Sequence, residues 1–251
     1  MYKKFAFTLA EVLITLGIIG VVAAMTLPTL LSNYRKNVAV TQLKKAYSEI
    51  SQAMQLAESE HGFMEDWHFE NIEDSEYSAK KLETRINRGI YFAEEYILKH
   101  LNVIRKCDYN SDSCWQNPKT MSGADTTFQL ASHSPYTFIT KSGYSAYVWL
   151  ANVGYHGGIA IDIDGPQKGS SVVGKDVFIM YFYLRDDEIN NYKKGLGMYG
   201  AFENDITANK LKTDTTKGCN NTSTNAWAGA YCGLLIQRNG WEIPKDYPVK
   251  F

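Results

Sequence analysis

Few residues in this chain have the type and spacing to do chemistry. Five histidines, His61, His68, His100, His133 and His156, are scattered with no spacing suited to metal ligation. No G-x-S-x-G elbow or phosphate loop occurs. Gly195-Leu196-Gly197-Met198-Tyr199-Gly200 carries part of a dinucleotide fingerprint, but it lacks a clean strand before it and a helix after it, and it reads as a flexible turn. Nothing here assembles a catalytic centre, so the expectation is that the protein is not an enzyme. Three other features carry chemistry of a different kind. Four cysteines fall in two local pairs, Cys107 with Cys114 and Cys219 with Cys232. Neither pair has the two-residue gap of a zinc knuckle or a neighbouring histidine, so disulfides are expected if the domain lies in an oxidising compartment. Of the three possible connectivities, the local pairing is the expected one. Asp162, Asp164 and Asp176 border a Gly-containing loop. Closely set carboxylates and turn carbonyls suit calcium, which takes six to eight oxygens, although the full EF-hand pattern is absent. The favoured reading of the same residues is an Asx-type turn, with the Asp side chains capping backbone amides. No other cofactor is expected. The last feature is Glu11, a carboxylate inside an apolar run.

That run must be positioned by a helix. Residues 7–31 contain one formal charge, Glu11, and as a helix they would span about 37 Å at 1.5 Å per residue, enough to cross a bilayer core with some tilt. Lys3 and Lys4 precede it, which places the N-terminus in the cytoplasm. An ordinary signal peptide or plain signal anchor would show the same layout, but neither gains anything from Glu11. A charge at such a site costs on the order of 2.5–3.5 kcal/mol and marks function, with a partner nearby. A free α-amino group a few residues upstream on a neighbouring chain would neutralise it. Pro28 deletes one helical hydrogen bond and predicts a kink or a local break. Helical patterning then resumes over residues 32–60, where Val40, Leu43, Ala46, Ile50, Ala53 and Ala57 recur at steps of three and four and form one apolar stripe.

The stretch Ala6-Phe7-Thr8-Leu9-Ala10-Glu11-Val12-Leu13 resembles the cleavage and methylation site of type IV prepilins and type II secretion pseudopilins. In that family a short basic leader is cut before a Phe, the new terminus is methylated, a Glu stands fifth and a Pro often stands twenty-second. Counted from Phe7, Glu11 and Pro28 occupy those places, and Ala6 stands where the family usually has Gly. The resemblance implies a prepilin peptidase cutting between Ala6 and Phe7, an assembly platform, and packing with other pilin subunits, in which Glu11 meets the amino group of Phe7 from an adjacent chain. It implies a single-pass inner-membrane protein with the head outside the cytoplasm, and a filament after assembly. The loop bounded by Asp162 and Asp176 is similar to a strand–loop–strand of pseudopilin-like proteins.

The remainder is expected to be a packed domain. The chain has 251 residues, 45% of them apolar and 13% aromatic, with 17 tyrosines. His61-Gly62 ends the long helix. Residues 62–80 read as a solvated acidic loop, and a second helix is expected over 89–106. Strands are expected over 136–140, 144–150, 158–163 and 176–184, each rich in β-branched or aromatic residues between turn formers. Short consecutive strands favour an antiparallel sheet. The fold class is therefore α+β, a long N-terminal helix packed on an antiparallel head, similar to pilins. The expected segments are a leader 1–6, a membrane and assembly helix 7–31, its amphipathic half 32–60, a helical insertion with a disulfide loop 61–135, and a sheet head with a C-terminal disulfide loop 136–251. The function implied is a structural subunit, minor pilin or pseudopilin. The alternative is a pilin-anchored binding module, adhesin or DNA-uptake head, with Trp67, Trp115 and Trp227 exposed for a ligand. The formal net charge of -1 and the absence of a basic patch among aromatics argue against nucleic acid.

Overall fold

A computed structural model describes residues 8–67, 79–107, 111–130, 135–151, 155–166, 169, 171–186, 192–204 and 206–251, with side chains of the second helix described from residue 86. Helix α1, Leu9–His61, runs unbroken through Pro28 and is about 80 Å long at the usual rise. Thr8 caps its start and Gly62, at φ 83°, takes the chain out of it in a conformation that disfavours a side chain. Along its second half, Leu43, Ala46, Ile50, Ala53, Met54 and Ala57 are buried, on the stripe that the periodicity marks. Burying a Leu, Ile or Met side chain contributes about 1.5–3 kcal/mol each, so this half is held by the head.

Helix α2, Ala79–Phe92, widens into a π turn at Ala93–Ile97 and then tightens into a 3₁₀ turn at Leu98–His100. The helix expected over 89–106 therefore begins earlier and ends sooner, because residues 103–107 pair with the sheet instead. Among the described residues six strands follow: β1 Val103–Cys107, β2 Tyr136–Thr140, β3 Ser145–Leu150, β4 His156–Asp162, β5 Val177–Tyr183 and β6 Gly195–Met198. They form one antiparallel sheet in sequence order, β1 to β6. Four strands lie at the expected places. Strand β1 and edge strand β6 were not expected, and the glycine-rich stretch read as a flexible turn is β6, with Leu196 opposite Phe182 and Met198 opposite Met180. Short helices α3, Ala208–Thr213, and α4, Cys232–Arg238, complete the head.

Each strand alternates between two faces. Phe138, Val148, Ile159, Ile161, Phe178, Met180 and Phe182 form one core with the α1 stripe, α2 and α4. Tyr147, Trp149, Ala160, Val177 and Ile179 face away, beneath Trp115, Phe128 and Leu130 from the segment before β2 and Ala230 from the segment before α4. The result is a layered α+β fold in which a helix lies on one sheet face and loops cover much of the other.

Candidate functional site: the exposed half of the long helix and its single carboxylate

Among the described residues, none covers the apolar side chains of 9–31. Leu9 is 81% exposed, Ile14 63% and Leu30 62%, and Leu13, Ile18, Ile19, Val21, Val22 and Leu27 are exposed with them. An apolar surface of this extent requires a bilayer or other chains around it. Among the described residues α1 is the one helix long and apolar enough to cross a membrane, and its most apolar window is wholly unburied.

Glu11 sits in the first turn of this surface. Its Oε2 accepts a hydrogen bond from the Thr8 backbone N–H at 2.8 Å and another from Thr8 Oγ1 at 2.8 Å, while the Glu11 N–H donates to Thr8 Oγ1 at 3.3 Å. This is a reciprocal capping box, in which Thr8 and Glu11 each satisfy a free donor of the helix start. The helix dipole also favours a negative charge here. Sequence reasoning looked for a partner on another chain and missed this local one, although Thr8-x-x-Glu11 is the capping-box pattern. Ala6 and Phe7 lie outside the described residues. Pro28 lies within α1, which continues past it.

The cysteines are joined as Cys107–Cys114 and Cys219–Cys232, with Cα separations of 6.0 and 4.8 Å. Both separations lie within the usual range for disulfides. The first bond ties the end of β1 to the segment that covers the outer sheet face. The second ties the start of α4 to the loop after α3.

Asp162, at the end of β4, is fully buried, and its Oδ2 accepts a 2.5 Å hydrogen bond from Ser171 Oγ. Among the described residues its Oδ1 has no hydrogen-bond partner. Burial, helped by the nearby Asp164 and Asp176 carboxylates, pushes its pKa up to about 8. Burial also raises the Asp176 carboxyl, whose Oδ2 accepts from the Val172 N–H at 3.3 Å. Among the described residues no three His, Cys, Asp or Glu side chains are gathered to hold a metal. Where the loop is described, backbone hydrogen bonds close it, Ile163 N–H to the Asp176 carbonyl at 2.9 Å and Gly165 N–H to the Asp162 carbonyl at 3.4 Å. An ion there would have to draw a deprotonated Asp162 away from Ser171, and a calcium-dependent rise in melting temperature is the observation that would place one.

The tryptophans expected to be exposed are not so. Trp67 is buried, stacked on Tyr96 with ring centres 4.2 Å apart, and donates Nε1–H to the Gly62 carbonyl. Trp115 is fully buried and donates to the Phe128 carbonyl. Trp227 is half-buried, stacked on Tyr199. Burial of a large ring is favourable once its N–H has an acceptor, and backbone carbonyls supply one to Trp67 and Trp115. Two histidines distant in sequence stand beside glutamates at the end of α1: His61 Nε2 lies 3.6 Å from Glu95, and His100 Nε2 lies 3.6 Å from Glu60. His68 and His133 lie outside the described residues. His156 stands beside a tyrosine-lined groove on the outer sheet face, with a volume of about 290 Å³.

Comparison with known proteins agrees with this geometry at the N-terminus. The prokaryotic N-terminal methylation motif matches residues 1–27, the signature of type IV pilins and pseudopilins. It implies processing by prepilin peptidase and assembly with other pilins, and points to a membrane-anchored structural subunit rather than an enzyme. No curated protein and no solved structure matches the chain. A second family match spans residues 29–251, nearly all that follows the methylation motif, and on that match the chain belongs to the family of unknown function DUF6613.

Proposed function

We propose that this chain is a minor pilin or secretion-type pseudopilin, inserted with Lys3 and Lys4 in the cytoplasm and cut between Ala6 and Phe7. An assembly platform then lifts the mature subunit into a helical filament, with the head outside the cytoplasm. One observation carries the reading: a bare apolar half-helix whose sole charge, Glu11, lies in its first turn. In the membrane, Thr8 and the helix dipole hold that carboxylate. In the filament, apolar half-helices bury one another and Glu11 exchanges Thr8 for the α-amino group of Phe7 from a neighbour. Removing one partner of a buried ion pair costs about 3–5 kcal/mol, so a subunit out of register would be rejected. Mass spectrometry and N-terminal sequencing of the protein from its own membranes test this. A methylated Phe7 terminus is expected, and a chain beginning at Met1 or near Met25 would overturn the proposal.

A second reading, a ligand-binding head carried on the same anchor, draws on the tyrosine-lined groove of the outer sheet face. The buried Trp67 and Trp115 do not contribute to it.

A further inference from the structure

On β5, Tyr181 and Tyr183 point away from α1, in register with Gly158 and His156 of β4 and with Gly197 and Gly195 of β6. The glycines make room for rings from elsewhere. The Trp149 indole lies across Gly158, where an added Cβ would come within 2.2 Å of the ring. The Phe202 ring lies across Gly197, 3.2 Å from an added Cβ. This part of the sheet is thus a tray of aromatic rings. Tyr155, Tyr192 and Tyr199 form its walls, with Tyr192 stacked on Tyr183 at 4.7 Å between ring centres. At one end stand Glu203 and Lys217, paired at 3.1 Å, and Tyr231 donates its hydroxyl to Glu203 at 2.8 Å.

We infer that this groove is a saccharide-binding site that takes a pyranose ring of a neutral glycan. Tyrosine rings offer apolar faces for the C–H face of a sugar, and their hydroxyls serve as donors and acceptors around its rim. Burial pushes the Tyr181, Tyr183 and Tyr199 phenols up, so they remain neutral donors at physiological pH. Glu203 supplies an acceptor for sugar hydroxyls and Lys217 a donor. The volume is near the lower end of small-ligand sites, and the mixture of ring faces with a few convergent polar groups is what such sites use. Other ligand classes fit less well. Among the described groove residues the Lys217 ammonium is balanced by Glu203, and the Arg185 guanidinium over the Tyr155 ring adds a single charge, far short of the array of cations that draws nucleic acid or an anionic lipid. An acyl chain would strand the tyrosine hydroxyls without partners. A peptide adding to the sheet would pair along an edge strand such as β6, whereas the groove lies on the face.

The inference deepens the reading of a ligand-binding head and is independent of assembly, since fibre yield and sugar binding are separate readouts. The test uses the full chain in a detergent without a sugar headgroup. Saturation-transfer NMR and intrinsic fluorescence follow titration with the methyl glycosides of glucose, galactose, mannose and N-acetylglucosamine, and a glycan array extends the search to longer chains. At least one saccharide is expected to bind saturably. Tyr192→Ala and Glu203→Gln should each weaken it about tenfold or more, the size of a central contact, with an unchanged melting temperature. Absence of binding to every saccharide tested overturns the inference. So does binding that both folded variants retain at full strength, or capture of a peptide at the groove in place of sugar.

Discussion

Glu11 has two jobs that substitution can separate. A capping box accepts Gln as well as Glu at its third position, because the side chain need only reach back to the cap N–H. Glu11→Gln should therefore keep the helix start and membrane insertion but lose the charge that would meet the amino group of Phe7. We expect membrane levels near those of the unmodified protein and little or no fibre, scored by shearing and immunoblotting. Glu11→Ala should lose fibre as well, and also weaken the first turn. Normal fibre yield from Glu11→Gln would count against charge pairing while leaving the cap intact. Asp162 carries a second prediction. Its pKa is raised by burial, so the folded state holds a proton that the unfolded chain releases near the ordinary carboxylate value. The stabilisation from this site is complete below about pH 4 and is lost as the pH rises towards about 8. The melting temperature should fall across that window, and Asp162→Asn, which cannot ionise, should flatten its part of the slope. A slope unchanged in Asp162→Asn would show that the carboxyl does not hold its proton in the fold.

At the scale of elements, α1 divides into a half with no cover and a half held by the head. Ile50 is fully buried in the stripe that meets the sheet. Ile50→Ala should cost about 2–5 kcal/mol, seen as a lower denaturation midpoint of the head, while an alanine at exposed Ile14 should leave that midpoint unchanged. The loop closed by Cys219–Cys232 joins α4 to the chain after α3, and replacing both cysteines by serine should cost about 2–5 kcal/mol in the same assay. The elements also show what a linear reading can resolve. Strands β2 to β5 are legible because their β-branched and aromatic residues lie between turn formers. Strand β1 hides in a stretch whose earlier apolar residues repeat at helical steps, and only its pairing with β2 makes it a strand. Strand β6 carries two glycines and little intrinsic preference, and it becomes a strand because β5 presents Phe182 and Met180 to Leu196 and Met198.

At the scale of the whole molecule, apolar residues without cover are concentrated in 9–31 and the buried core begins near Ala39. A chain starting at residue 32 should therefore leave the membrane fraction and run as a monomer on size exclusion, whereas the full chain should need detergent. A truncated head that still required detergent would reveal a second apolar surface. The apolar anchor, the place of Glu11, the stripe on α1 and the α+β class are legible in the amino-acid order, because each follows from spacing along a single chain. The periods of helix and strand are local properties, and so is the length needed to cross a bilayer. The burial of Trp67 and Trp115, the approach of His61 to Glu95 and of His100 to Glu60, and the tray of tyrosines beside β6 come from the packing of the folded chain. Those outcomes depend on which face of one element meets another, and a ring's burial is settled by neighbours that arrive from elsewhere in the chain.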